Sequence, residues 1–257
     1  MKTIKLGKHT VELYDAIEDL PVTRYHRFNK FMLIDAGLGS DLTEIDAHIS
    51  KAIQYFGMKE NEAGVTELQN MRQAIYFVQN ELTPKHLAFA ALIKSVDGNV
   101  RDDISEAGLK ATLARIEDAT VKEINSEADE IKKKLDSEIL TFTPDLFDSA
   151  KTKEYYSKLK QRTILFCDAL IEGRDPSKDE ALAKIDKEFL VINKPLKFWG
   201  EENEEIKRDR DFEYACLTIS QHLNADAKAF TTLEYYNALN YIQDISKREE
   251  RKKGLRK

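Results

Sequence analysis

The chain has 257 residues, 42% of them hydrophobic and 33% charged, with a formal net charge of −6. That length suits one large domain or two small ones, and either buries a real core. The acidic balance argues against general nucleic-acid affinity, the short apolar runs exclude a membrane span, and five prolines and ten glycines are too few for a β-sandwich with a turn every ten residues.

The first residues, MKTIKLGKHTVEL, carry no apolar run of signal-peptide length, so no leader is expected. Residues 3–14 alternate apolar and polar at Ile4, Leu6, Val11 and Leu13. This predicts two short strands turning at Gly7-Lys8. Pro21 breaks the chain before a helix. In that helix Tyr25, Phe28, Phe31 and Met32 share a face, and Arg24, Arg27 and Lys30 recur every three residues on another. The periodicity alone describes a core helix with a solvated basic face. The pattern also fits a partner-binding helix, so Arg24, Tyr25, Arg27, Phe28 and Lys30 are candidate contact residues. Gly37 and Gly39 end the helix, and Ser40 or Asp41 caps the next.

Residues 41–56 predict an amphipathic helix with Ile45, Ile49, Ala52, Ile53 and Phe56 inward and an Asp41–Glu44 capping box. Residues 62–82 predict another, with Leu68, Met71, Ile75, Val78 and Leu82 on its inner stripe. Thr83-Pro84 opens a helix over 84–96, apolar over much of its circumference, and Asp97-Gly98-Asn99 is a turn. Ser105 or Asp103 caps a helix carrying Leu109, Leu113 and Ile116. The next, about 119–140, has a coiled-coil-like seam of Val121, Ile124, Ala128, Ile131, Leu135 and Ile139.

A break at 141–145 divides the chain into an N-terminal unit, 1–140, and a C-terminal helical unit, 145–257. In the second, residues 146–172 predict one or two helices with Tyr155, Leu159, Phe166 and Leu170 inward, and 178–190 a helix with Leu182, Ile185 and Phe189 inward. Trp199, the only tryptophan, sits in the connection VINKPLKFWGEENE as a lid or a contact residue. Phe212, Cys216, Ile219 and Leu223 form the next seam. Thr231-x-x-Glu234 is a capping box for the last helix. From Lys247 to the end, Lys247, Arg248, Arg251, Lys252, Lys253, Arg256 and Lys257 against two glutamates give +5, leaving −11 for the rest. This basic tail is a solubilising end, a strap onto an acidic neighbour, or a contact to packaged DNA. The fold class expected is mainly α: a multi-helix bundle with a small N-terminal β-hairpin.

No catalytic or cofactor signature emerges. The five histidines include no i, i+4 pair and no HExxH, and no GxSxG or phosphate loop is present. Gly37-x-Gly39 lacks a third glycine, since position 42 is leucine. His48 pairs with Glu44 one turn away on the helix surface. Cys167 and Cys216 read as buried small hydrophobes in a reducing compartment. No enzyme activity, metal or cofactor is expected.

Residues 12–49, ELYDAIEDLPVTRYHRFNKFMLIDAGLGSDLTEIDAHI, resemble a block in virion-associated proteins of tailed bacteriophages, especially crAss-like phages. The features are Tyr14-Asp15, Ile17 to Pro21, Arg24 to Lys30 and the Gly37 to Asp41 corner. The likeness continues more weakly to about residue 116, and 231–239, TTLEYYNAL, resembles a segment of phage tail-module proteins. The resemblance implies a virion structural protein assembled in the bacterial cytoplasm. It points to a ring-forming homo-oligomer at the head-to-tail connector, binding portal or tail partners. A tail assembly chaperone or scaffold, or a cargo protein ejected with DNA, are its alternatives.

Overall fold

Alternating side chains make the first two strands, and the third explains why they are stable. In this computed structural model, which describes residues 1–39, 42–80, 83–143, 150–173 and 175–254, β1 (Lys2–Leu6) pairs antiparallel with β2 (His9–Leu13), Lys2 opposite Leu13 and Leu6 opposite His9. Gly7 turns the hairpin at φ +55°, and a Cβ there would stand 2.6 Å from the Asp118 Cβ. A lone hairpin is marginal in water. Here β2 also pairs antiparallel with β3 (Ile93–Val96), Val11 opposite Val96, and β4 (Asn99–Val100) completes a four-stranded antiparallel sheet. The helix expected over 84–96 therefore stops at Leu92. A short apolar run bounded by a turn reads equally as helix or buried strand, and the hairpin's need for a partner decides for strand.

Helix α1 (Val22–Leu38) lies across α4 (Pro84–Leu92), whose residues from Leu87 to Leu92 are all buried. Between them in sequence run α2 (Leu42–Gly57) and α3 (Asn61–Gln79). After the sheet come α5 (Glu106–Leu113), capped by Ser105, a single 3-10 turn, and α6 (Val121–Phe142), capped by a Thr120–Glu123 box. The α6 seam is as expected from Ile124 through Ile139, but Val121 is exposed. Burying each of its large aliphatic side chains contributes about 1.5–3 kcal/mol.

The C-terminal helices are α7 (Ala150–Ile171), α8 (Pro176–Ile192), α9 (Glu204–Leu223) and α10 (Thr232–Gly254). Asp175 caps α8 with Pro176 at its first position. The described residues thus form ten α-helices and one small sheet, a mainly α bundle with an N-terminal hairpin.

The start of α10 is stitched to the segment before α1. Val22 N–H donates to the Phe230 carbonyl at 3.0 Å, Thr232 N–H and Oγ1 both donate to the Leu20 carbonyl at 2.8 Å, and Leu233 N–H donates to the Ile17 carbonyl at 3.0 Å. The Thr231–Glu234 box is present. A second small core of Val22, Cys216, Ile219, Ala227, Tyr235, Ala238 and Ile242 forms around this clasp. Asp41, Leu82, the 144–145 part of the expected break, and the side chains of Arg251, Lys252, Lys253, Arg256 and Lys257 lie outside the described residues.

Candidate interaction surfaces

The basic and aromatic helix proposed for a partner is turned inward. Arg24, Tyr25, Phe28 and Lys30 are buried and Arg27 is half-buried. Arg24 Nη1 donates to the carbonyls of Ala91 at 3.1 Å and Ile93 at 3.0 Å, and Nη2 to that of Arg101. A guanidinium at the C-terminal end of α4 satisfies carbonyls the helix leaves open and complements its dipole. The Tyr25 ring meets Tyr236 edge-on at 6.1 Å, and burial raises its phenol pKa well above the usual range.

Lys30 is 2% exposed, its Nζ 3.0 Å from both Glu205 Oε1 and Asp209 Oδ2. His26 Nε2 lies 2.7 Å from Asp209 Oδ1, and its ring stacks on Phe212 at 4.1 Å and 7°. Burial lowers the His26 pKa, against the opposing pull of Asp209. Burial pushes the Asp209 carboxyl up, but hydrogen bonds from His26 and Lys30 bring it below its ordinary value. Spacing in α1 gave no sign that these cations turn inward: carboxylates on α9, some 180 residues away, draw in Lys30 and His26, and backbone carbonyls hold Arg24. Beside this network a cavity of about 260 Å³ is lined by Thr23, Arg27, Ile104 and Lys228 among others.

Helices α2 and α3 bury an unexpected face. His48 and Tyr55 point inward from α2, and Thr66, Glu67 and Asn70 from α3. His48 Nδ1 meets Glu67 Oε2 at 2.5 Å rather than Glu44, and Nε2 lies 3.0 Å from the Leu38 carbonyl. Asn70 Nδ2 donates to the Leu196 carbonyl at 3.0 Å. Tyr55 Oη reaches the Leu190 carbonyl at 2.9 Å. With polar side chains holding distant backbone, much of the expected inner stripe is open: Ile49, Ile53, Phe56 and Leu68 are exposed, with Val65 beside them.

In the 191–204 connection it is Phe198, not Trp199, that enters the core. Its ring fills the space a Cβ on Gly37 would take, 2.6 Å from that position. Trp199 is half-buried. A charged groove of about 550 Å³ flanks this connection, with Lys194 paired to Glu60 at 2.8 Å and Lys197 to Glu62 at 2.5 Å.

Helices α7 and α8 form an arm packed chiefly on itself. Toward α8, α7 turns Tyr155, Lys158, Arg162, Leu165 and Ala169, at spacings of three and four. Tyr155 meets Phe189 at 5.4 Å, Lys158 pairs with Glu188, and Arg162 Nε with Asp186 at 2.6 Å. The adjacent stripe of Tyr156, Leu159, Thr163, Phe166 and Leu170 faces outward, with Ile164 and Ile171 next to it. Leu159, Phe166 and Leu170 are thus exposed rather than inward. Their periodicity was real, but it belongs to a second face. Cys167 is exposed as well, while Cys216 is buried as expected. A smaller stripe of Ile206, Tyr214 and Leu217 lies open on α9. Lys247 and Arg248 are exposed near the end of α10.

No group of three or more His, Cys, Asp or Glu disposed to hold a metal ion occurs among the described residues, and none of their helices is long and apolar enough to cross a membrane. The geometry defines a helical protein with a small sheet, buried polar side chains that tie distant elements together, and two half-open helical hairpins. Comparison of the chain with protein-family models, with curated proteins and with solved structures finds no match.

Proposed function

We propose that the chain is a structural subunit that assembles with copies of itself into a closed ring. On the likeness of residues 12–49 and 231–239 to phage virion proteins, we place that ring at the head-to-tail connector or tail of a tailed-phage virion. The observation that carries the assembly reading is the open apolar surface on two separate helical hairpins, α2–α3 and α7–α8. Contiguous exposed apolar area of this kind marks protein interfaces. A ring needs two different faces per subunit meeting head to tail, and the chain offers two. Portal and tail proteins are the neighbours this reading supplies. The exposed Lys247 and Arg248 suit an acidic neighbour or the phosphate backbone of packaged DNA.

Light scattering on the purified protein tests this reading, with mass spectrometry of purified particles as its second arm. A discrete species of many subunits, and the chain among virion proteins, is the expected result. A monomer at all concentrations that is absent from particles would overturn it and favour an assembly chaperone.

A further inference from the structure

The cavity of about 260 Å³ between α1 and α9 is walled by charged side chains, and one of them has no counterpart. Thr23, His26 and Arg27 reach it from α1, at the spacings of three and four that put residues on one side of a helix. Asp209 and Glu213 face them from α9, and Lys228 stands in the 3-10 turn before α10. Both carboxylates are already matched. Asp209 is 2.7 Å from His26 Nε2 and 3.0 Å from Lys30 Nζ, and Glu213 Oε2 is 2.7 Å from Lys228 Nζ. That leaves Arg27. It is half-buried, and neither its guanidinium nor the half-buried Thr23 hydroxyl has a hydrogen-bond or ion-pair partner among the described residues. A guanidinium brings five donors in a planar fork, the shape that takes two oxygens of one carboxylate or phosphate. Thr23, one turn before Arg27, adds a hydroxyl donor on the same side of the helix. Ile104 supplies an apolar patch of wall. The volume lies just below the roughly 300–1,000 Å³ of drug-sized sites, so an occupant is small.

We propose that this cavity binds a small organic oxyanion, with its carboxylate or phosphate held by Arg27 and Thr23 and its short apolar body against Ile104. The anion supplies the negative charge that the chain itself does not place against Arg27. Because Asp209 and Glu213 are held by cations of their own, they do not need to be displaced. The site is independent of the ring reading, since none of the exposed apolar faces of the hairpins contributes to it.

The test is calorimetric titration of the full-length protein with butyrate and with inorganic phosphate, each at constant ionic strength in chloride buffer. Two variants accompany the wild type: Arg27→Gln, and Lys160→Gln at an exposed position on α7. Circular dichroism checks that both keep wild-type helicity. The expected result is one saturable site for at least one probe, weakened roughly tenfold or more in Arg27→Gln and unchanged in Lys160→Gln. Tighter binding of butyrate assigns a carboxylate ligand, and tighter binding of phosphate a phosphorylated one. A second reading needs no variant: the Ile104 methyl signals of the wild type should shift and saturate along the same titration. No saturable binding of either probe, equal affinity in Arg27→Gln, or binding that leaves Ile104 unmoved would each overturn the site.

Discussion

The imidazole of His48 and the carboxylate of Glu67 meet at 2.5 Å in a nearly dry space between α2 and α3, and the other ring nitrogen of His48 lies 3.0 Å from the Leu38 carbonyl. Both ring nitrogens thus face acceptors, which an imidazolium satisfies by donating twice. One charged side chain ties together the end of α1, α2 and α3. The Glu67 hydrogen bond raises the His48 pKa, against burial.

This fixes the sign of a pH effect. A raised folded-state pKa adds stability that is fully present below the unfolded value of 6.5 and is lost as pH rises through the folded value. Wild type is expected to exceed His48→Gln by about 1.5–3 kcal/mol at pH 6, the worth of hydrogen bonds to a charged group. The gap in urea midpoints then narrows toward pH 9. A gap that widens with pH would count against the ion pair. His26, its pKa lowered by burial, acts in the opposite direction, so the comparison is made between these two proteins at each pH.

Arg24 is expected to be the most costly single truncation in α1. Arg24→Ala leaves the Ala91 and Ile93 carbonyls without their donor in a buried site, and removes the contact to the half-buried Arg101 carbonyl. Each costs about 1–3 kcal/mol when left unsatisfied. Arg24→Lys recovers only part, because an ammonium cannot span three carbonyls as a planar fork does. Urea denaturation of the three proteins should rank wild type, Lys, Ala in that order. Equal stability of the Lys and Ala variants would show that the fork geometry does not matter.

Lys30 should behave more mildly despite being better buried. Its partners Glu205 and Asp209 are 40% and 44% exposed and can turn to water when the ammonium goes. Lys30→Met keeps the stem and is expected to cost about 1–2 kcal/mol, below the 3–5 kcal/mol typical of a fully buried pair. Thermal melts at low and high salt check this. A loss above about 4 kcal/mol would mean the carboxylates stay trapped.

The contact of Gly37 with Phe198 predicts a strong coupling. Gly37→Ala puts a methyl 2.6 Å from the Phe198 ring, an overpacking that costs about 1–3 kcal/mol. Phe198→Ala opens a core cavity at about 3–5 kcal/mol. Combined, the two should cost clearly less than their sum, because removing the ring relieves the clash. A double-mutant cycle by urea denaturation reads the difference, and additivity would refute the contact.

The parts of the fold that the sequence makes legible are those where one local rule acts alone. The β1–β2 alternation, the Ile124 to Ile139 seam and the Thr231–Glu234 box each follow from spacing or capping. Misreadings arise where a group from another element, backbone or side chain, claims a polar side chain. Asn70 serves the Leu196 carbonyl, Glu67 serves His48, and Lys30 serves two carboxylates on α9. Nothing near Asn70 in sequence announces Leu196. On α7 the error has another origin: two apolar stripes lie side by side, and spacing cannot tell which is covered within the chain.

The two cysteines give the arm a private chemical handle. Burial pushes the Cys216 thiol up to about 11, so near neutral pH it stays protonated behind the α9–α10 packing. Cys167, open to solvent on the outer side of α7, is left as the residue that a maleimide reaches. A single dye on the native chain therefore lands on the arm, and its emission reports the solvent exposure of the outer side of α7.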